Sequence, residues 1–265
     1  MRKYFFLPIM TFFAAFLLSA CDNSSKQNAA NEDTNTQMQT IVVGLDDDFP
    51  PMGFRDESNN LVGFDIDLAT EAAKRANLNV EFKPIDWSAK EAELNSGRVD
   101  ALWNGLTITD YRKENVLFSK PYMVNQQIIV VRPNSDIQSK ADLAGKVIGL
   151  QNGSSALDAV NADPIHQSFG ELNQYADNVT ALLDLGNERL DAVVVDGVVG
   201  RYYVAKKPDD YRILDDNFGE EQYGVGFKQG NTELQQKIQN ALDSMEADGT
   251  SAKISEKWFG KDVTK

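Results

Sequence analysis

The stretch Asn104-Gly105-Leu106-Thr107-Ile108-Thr109-Asp110-Tyr111-Arg112 carries the groups that hold an anion. A run of strand character, residues 99–103, feeds into a glycine, two threonines and an arginine. Thr109 is spaced to cap a short helix with Arg112 in its first turn. Backbone N–H groups at such a helix start, the Thr107 hydroxyl and a planar guanidinium fork together suit a carboxylate. Arg112 reads equally as a surface arginine on a capped helix, and spacing alone does not choose. The opposite charge comes from Asp196, which follows the apolar Ala192-Val193-Val194-Val195. An acid there is costly unless paired, so it is either the N-cap of the next helix or the partner of a cationic group.

These residues need a frame that gathers them. Thr40-Ile41-Val42-Val43-Gly44-Leu45 reads as a buried strand, and Asp46-Asp47-Asp48-Phe49-Pro50-Pro51 as a rigid loop at its C-terminal edge. Residues 55–60 form a turn between Phe54 and Leu61. Asp65 then opens a helix whose Leu68, Ala69, Ala72 and Ala73 make one apolar face. A strand at 80–85 follows. Ser88 and Glu91 have capping-box spacing for a helix that ends at Gly97. Strand and helix alternate with short connections, which predicts an α/β fold with largely parallel sheets. In such sheets ligands sit outside the carboxyl ends of the strands. Asp46 to Phe49, Trp87 and Asn104 to Arg112 all follow strand ends, so they converge on one edge.

A long strand at 126–133 then leaves this first lobe, and a second α/β series begins. A short helix at 139–144 and a strand at 146–150 lead to Asn152-Gly153-Ser154-Ser155, which opens another helix. Its N–H groups are offered to an anion, or Ser154 and Ser155 simply cap it. Residues 185–197 echo residues 94–105: helix, turn, basic residue, apolar residue, Asp-Ala, strand, then a polar residue before glycine. The echo points to two lobes of related architecture. Glu221-Gln222-Tyr223-Gly224-Val225-Gly226-Phe227 is a strand that returns to the first lobe, and two helices close the chain. The chain therefore crosses twice, near 125–130 and 220–226, and two crossing strands make a hinge.

The N-terminus has the pattern of a targeting segment. Arg2 and Lys3 precede an apolar run from Phe5 to Leu18, and Ser19-Ala20 precede Cys21. The run is short for a membrane span. Leu18-Ser19-Ala20-Cys21 resembles a bacterial lipobox, in which the cysteine is lipidated (palmitate among its acyl chains) and becomes the mature N-terminus. Cys21 is the only cysteine, so no disulfide forms within the chain. Asp22 resembles the signal that keeps lipoproteins on the inner membrane of diderm cells. Residues 22–39 are polar apart from Met38 and a few alanines, cannot bury a core, and read as a flexible tether. About 225 residues remain, enough for one large domain or two lobes. The net charge is −14 and becomes −16 when Arg2 and Lys3 leave with residues 1–20. Such acidity opposes binding to nucleic acid or anionic lipid.

From about Thr40 to Gly260 the chain resembles the extracytoplasmic amino-acid-binding proteins (solute-binding family 3) of ABC importers. The motifs are Phe49-Pro50-Pro51, Leu61-Val62-Gly63-Phe64-Asp65-Ile66-Asp67-Leu68-Ala69, residues 94–100, Thr107-Ile108-Thr109 with Arg112, Ala247-Asp248-Gly249-Thr250 and Lys257-Trp258-Phe259-Gly260. The resemblance implies a two-lobed periplasmic-binding-protein fold of type II, each lobe a mostly parallel sheet flanked by helices and joined by two hinge strands. It implies a signal peptide at 1–20, a lipidated tether at 21–39, lobe one at 40–126 with 223–265, and lobe two at 127–222. It further implies a monomer held to the membrane by its lipid, facing the periplasm or exterior, which delivers a free amino acid to a permease. No cofactor or metal is expected.

By the same resemblance Arg112 holds the ligand α-carboxylate, assisted by Gly105, Thr107 and Ser155, and Asp196 takes the α-ammonium. The side chain lies against Phe49, near Asp46, Trp87 and Asn104. One zwitterion then touches both lobes, and that differential contact drives closure. Asp46, Asp47, Asp48 and Asn104 favour a polar neutral or basic side chain. Lys90 offsets that acidity if it points inward but is expected in solvent, whereas Trp87 either stacks on the ligand or belongs to the core. The rival readings are a cyclohexadienyl-dehydratase-like enzyme and a ligand-presenting sensor. Against catalysis, His166 is the only histidine, so neither a Cys/His nucleophile nor a His-rich metal site can be assembled.

Overall fold

The computed structural model describes residues 38–265. The expected signal peptide, Cys21 and most of the tether lie outside the described residues. The first series is β1 (Thr40–Leu45), the short strands β2 (Asp48–Phe49), β3 (Gly53–Arg55) and β4 (Leu61–Val62), α1 (Phe64–Arg75), β5 (Asn79–Pro84), α2 (Lys90–Ser96), β6 (Ala101–Leu102), α3 (Asp110–Lys113) and β7 (Val116–Phe118). The strand β8 (Met123–Val131) leads to β9 (Val147–Gln151), α4 (Ser155–Ala162), β10 (Glu171–Tyr175), α5 (Asn178–Gly186), β11 (Ala192–Asp196) and α6 (Gly197–Lys206). The chain returns through β12 (Arg212–Tyr223) and β13 (Gly226–Lys228), and ends in α7 (Thr232–Ala247) and α8 (Thr250–Phe259).

Two five-stranded sheets result, in the orders β5-β1-β6-β13-β7 and β10-β9-β11-β8-β12, with β2-β3-β4 as a small antiparallel sheet beside them. In each large sheet the helix-linked strands pair in parallel, β5-β1-β6 and β10-β9-β11. The fourth strand, β13 or β8, runs against both of its neighbours, because it enters from the other half of the chain. The fifth strand is thereby restored to the common direction. The two crossing strands, β8 and β12, are hydrogen-bonded to each other from Tyr223–Met123 to Arg212–Val131.

Several local expectations hold for the reasons given. Gly97 ends α2 in the left-handed conformation at φ 76°, and the Thr109 side chain accepts the Arg112 N–H as the N-cap of α3. The Ser88/Glu91 capping box does not form. Asp86 takes that role, accepting the Ser88 N–H, and residues 87–89 make a 3₁₀ turn before α2 starts at Lys90. A nearer acid wins the orphan N–H groups.

Apolar faces close on the sheets from both sides. One cluster joins Ile41, Val43, Phe64, Leu68, Ala72 and Trp103 to Leu234, Ile238 and Met245 of α7, and a second gathers Ile129, Val131, Leu143, Ile148, Leu150 and Val194. Each fully buried aliphatic side chain contributes roughly 1.5–3 kcal/mol, so these clusters carry the stability of a chain with no disulfide. Among the described residues no helix is long and apolar enough to cross a membrane.

Candidate functional site

The loop after β6 turns sharply at Gly105, whose φ of +60° is left-handed. A Cβ there would lie 2.9 Å from the Phe49 ring and 3.2 Å from the Tyr223 ring, so glycine is needed for both conformation and space. The Gly105 N–H donates to Asp65 Oδ2 at 2.7 Å, and the Tyr122 hydroxyl donates to the same oxygen at 2.9 Å. Asp65, at the start of α1, thus anchors the loop from below. Its complete burial pushes the carboxyl up to about 7.

Arg112 is only 3% exposed. Its Nη1 donates to the Thr107 carbonyl at 3.0 Å and its Nη2 to the Gly153 carbonyl at 3.3 Å. The nearest carboxylate is Asp158, 4.0 Å away with a side chain 58% exposed. A buried guanidinium with five donors is therefore held by carbonyls alone, beside the N-terminus of α4. Lys90 donates to the same Gly153 carbonyl at 2.7 Å and to the Trp87 carbonyl at 3.2 Å. Contrary to expectation it is not in solvent: it is 4% exposed, with its ammonium 5.3 Å from the centre of the Trp87 ring. Burial and the neighbouring Arg112 charge bring its pKa down to about 8. Two cations thus meet at one carbonyl. The face of Trp87 is taken by Lys90, and its body packs with Leu94, Val99, Leu102 and Leu106, so the core reading of Trp87 applies.

The opposite charge collects at the hinge. Asp196 stands at the N-cap position of α6 but makes no capping bond. Its Oδ1 accepts from Asn125 Nδ2 at 2.8 Å and from the Tyr223 hydroxyl at 2.6 Å. Burial, then the nearby Glu221 charge, raises its pKa well above the carboxylate range. Among the described residues no cation pairs with it. Glu221 on β12, which the sequence reading passed over, lies beside it and shares the Asn125 amide at 2.7 Å.

Asp46 at the end of β1 accepts Gln151 Nε2 at 2.7 Å and the Asp48 N–H at 2.9 Å. Burial nevertheless pushes it up to about 6. Gln151 ends β9 and was not foreseen either. Asn104 donates to the Asp46 carbonyl at 3.1 Å, and its own buried Oδ1 has no partner. The hydroxyls of Thr107 and Ser155 meet at 2.9 Å. All the sequence-predicted positions, Asp46, Phe49, Trp87, Asn104, Gly105, Thr107, Arg112, Ser155 and Asp196, are buried, and they lie at strand ends or in the short strands, turns and helix starts that follow them. One end of the arrangement is cationic and the other anionic, with hydroxyls and amides between. Among the described residues no cluster of metal-ligating side chains accompanies it.

Residues 41–261 match the model of the bacterial extracellular solute-binding proteins, family 3. The L-cystine-binding protein TcyJ of Escherichia coli (strain K12) is 33% identical over 228 residues, covering 85% of each chain. The arginine-binding extracellular protein ArtP of Bacillus subtilis (strain 168) is 29% identical over 262 residues, 98% of each. Among solved structures, an ABC uptake transporter substrate-binding protein from Streptococcus pneumoniae with bound histidine superposes with a TM-score of 0.82. It is 39% identical, over 85% of this chain and 94% of that one.

Proposed function

The chain belongs to the bacterial extracellular solute-binding proteins of family 3, and from that premise we propose that it captures a free amino acid by closure of two lobes and passes it to an ABC importer. The observation that carries the proposal is the separation of charge in the buried site. Arg112 and Lys90 converge at one end without a carboxylate in hydrogen-bond reach, and Asp196 sits at the other with only neutral donors. An α-amino acid presents a carboxylate and an ammonium on one carbon, and it answers both. A carboxylate at Arg112 touches the first sheet's loop while an ammonium at Asp196 touches the second sheet. The bound ligand is therefore worth more to the closed form than to an open one.

In this reading Arg112 and the helix start at Ser155 take the carboxylate, Gly105 and Thr107 line the middle, and Asp196 takes the ammonium. Asp46, Gln151 and Asn104 face the ligand side chain, with Phe49 as a wall. A polar neutral or basic side chain suits the carboxylate of Asp46. Cystine, arginine and histidine, the ligands in the names of relatives, all carry such groups. The lobes comprise residues 40–126 with 223–265, and residues 127–222. The chain acts as a monomer anchored through lipid on Cys21. The relatives bear the names of binding proteins, which supports a carrier rather than a catalyst.

The test is a thermal-shift and titration screen against the common amino acids and cystine. A ligand that binds only the folded chain raises its melting temperature. One or a few amino acids should do so, and the shift should vanish in Arg112→Ala. A chain that responds to none of them refutes the proposal. Incorporation of labelled palmitate, lost in Cys21→Ala, tests the anchor.

A further inference from the structure

Glu221 is the one acid on a crossing strand that reaches into the candidate site. Its Oε1 accepts from Asn125 Nδ2 at 2.7 Å, from Gln127 Nε2 at 2.9 Å and from Thr107 Oγ1 at 2.9 Å, with Ser155 Oγ at 3.3 Å. Thr107 belongs to the first half of the chain, Ser155 to α4 of the second, and Asn125 and Gln127 to the other crossing strand. Among the described residues neither Glu221 nor Asp196 has a cationic partner.

Two hydroxyls reach Glu221, and Thr107 is the closer donor, at 2.9 Å against 3.3 Å for Ser155. Gln127 Nε2 donates to Ser155 Oγ at 3.1 Å as well as to Glu221. The shorter bond takes the Thr107 hydroxyl proton to Glu221. The 2.9 Å contact between Thr107 and Ser155 must then use the Ser155 proton. Thr107 Oγ1 is left with a lone pair and no proton to spare, so it presents itself to a donor. Reversing Thr107 would aim its proton at the ligand and favour an anion instead. Asn125 meanwhile bridges Glu221 and Asp196 through one amide nitrogen, which holds the two carboxyl groups side by side.

We infer that Glu221 is a specificity-determining residue for the ligand's amine: with Asp196 it forms the anionic half of the site, and it turns Thr107 into an acceptor for the same cation. This rests on the amino-acid reading above. Burial and the Glu221 charge favour the protonated form of Asp196 in the free chain, and an ammonium placed beside the two groups favours the charged form of both. Glu221 thus discriminates by favouring ligands that carry the amine, and a ligand without it gains nothing from the pair.

The experiment is calorimetric titration of the full chain with L-arginine, L-histidine and L-cystine. Each is paired with its analogue lacking the α-amine: guanidinovalerate, imidazolepropionate and dithiodipropionate. In Glu221→Gln, which keeps size and most hydrogen bonds, affinity for the amino acid that binds should fall about tenfold to a hundredfold. The deaminated analogue should stay within about threefold of its wild-type value, so discrimination shrinks. Equal losses for both ligands would overturn the inference and leave Glu221 as a strut between the lobes. An unchanged affinity for the amino acid would overturn it too. Glu221→Asp, which keeps the charge but shortens its reach, should retain more discrimination than Glu221→Gln, and it carries the comparison if the amide variant does not fold. A wild-type chain that binds none of the three amino acids, or any other, refutes the amino-acid reading and this inference together.

Discussion

In the sheet built around β1, Asp100 makes two bonds to Val42, N–H to carbonyl at 2.7 Å and Oδ2 from the amide at 2.8 Å; in the sheet around β9, Asp191 repeats both on Val147, at 2.8 Å and 2.8 Å. Two residues earlier, Arg98 pairs with Glu93 and Arg189 with Asp184, each at 2.8 Å. The turn before them is left-handed in both, at Gly97 with φ 76° and at Glu188 with φ 63°. Gly44 and Gly149 stand at matching points of the two central strands, against Val99 and Leu190 respectively. The frame is repeated down to single hydrogen bonds. The strand ends are not. Where Asp46 directly follows β1, β9 finishes in Gln151, and the two side chains bond to each other. The strand β6 stops at Leu102 and releases a loop that carries Arg112, while β11 runs on to Asp196. The frame supplies position, and the divergence at its tips supplies opposite charges for one ligand.

The largest effect that can break this comparison is on binding. Arg112→Ala should weaken amino-acid affinity about a thousandfold, since it removes a buried charge-assisted contact worth roughly 3–5 kcal/mol. Asp196→Asn, which keeps a polar group at the other tip, should cost less, about a hundredfold by titration. Equal losses would mean that the two tips do not divide the charges as described.

Next in size is the pH dependence of the ligand-free chain. Asp46 is raised from 3.8 to about 6, so the folded state holds its proton after the unfolded state has lost it. Stability therefore falls as pH rises through that window, by about 3 kcal/mol at most for this group. Asp46→Asn makes the first tip an amide like the second and should reduce the slope between pH 4 and 7 in urea unfolding, leaving the part that Asp65, raised to about 7, contributes. An unchanged profile would place the Asp46 carboxyl in water.

Smaller effects probe the frame itself. A Cβ on Gly149 would collide with Leu190, whereas one on Gly44 meets Ile85 and Val99 at 3.1 Å. Gly149→Ala should cost about 1–3 kcal/mol, and Gly44→Ala less. The smallest contrast is the most diagnostic of the repeat. Asp100→Ala and Asp191→Ala should each cost about 1–2 kcal/mol and agree within roughly 0.5 kcal/mol, because each frees one amide of a central strand. Thermal unfolding of the two variants measures it.

Much of this frame was legible because its signals are local. The Asp-Ala echo, the Thr109 cap and the Gly97 stop each need only a few neighbouring residues. Arg112, Ser155 and Asp196 were reachable because strand ends are where α/β sheets present side chains. The site residues missed are all long-range. Lys90 sits in the charged run Ala89-Lys90-Glu91-Ala92-Glu93 and reads as solvated, yet its buried partner is Gly153, a carbonyl from the other sheet's edge. Gln151 is an unremarkable amide until Asp46 lies opposite. Glu221 lies in a stretch rich in Asp and Glu, residues 215–221, which reads as a solvent-facing edge. The period-two pattern did hold a clue: Glu221 shares a face with the buried Tyr223, while Gln222 between them is exposed. The capping box at Ser88 failed for the reverse reason, since Asp86 was closer than the motif allowed for.

The pairing of β8 with β12 has a mechanical consequence. Two separate connecting strands would flex independently and let one lobe slide or rock on the other. Paired from Tyr223–Met123 to Arg212–Val131, with register shifts on either side of Asn217, and built into the second sheet, they form one ribbon. Compliance is then left to the ribbon's first-sheet end, where Gly224 follows Tyr223 and only single bridges, Thr107–Tyr223 and Met123–Thr264, fasten the strands. In the two-lobed closure proposed above, the second lobe would turn as a plate on a short pivot, so that small rotations there become large displacements at the far rim.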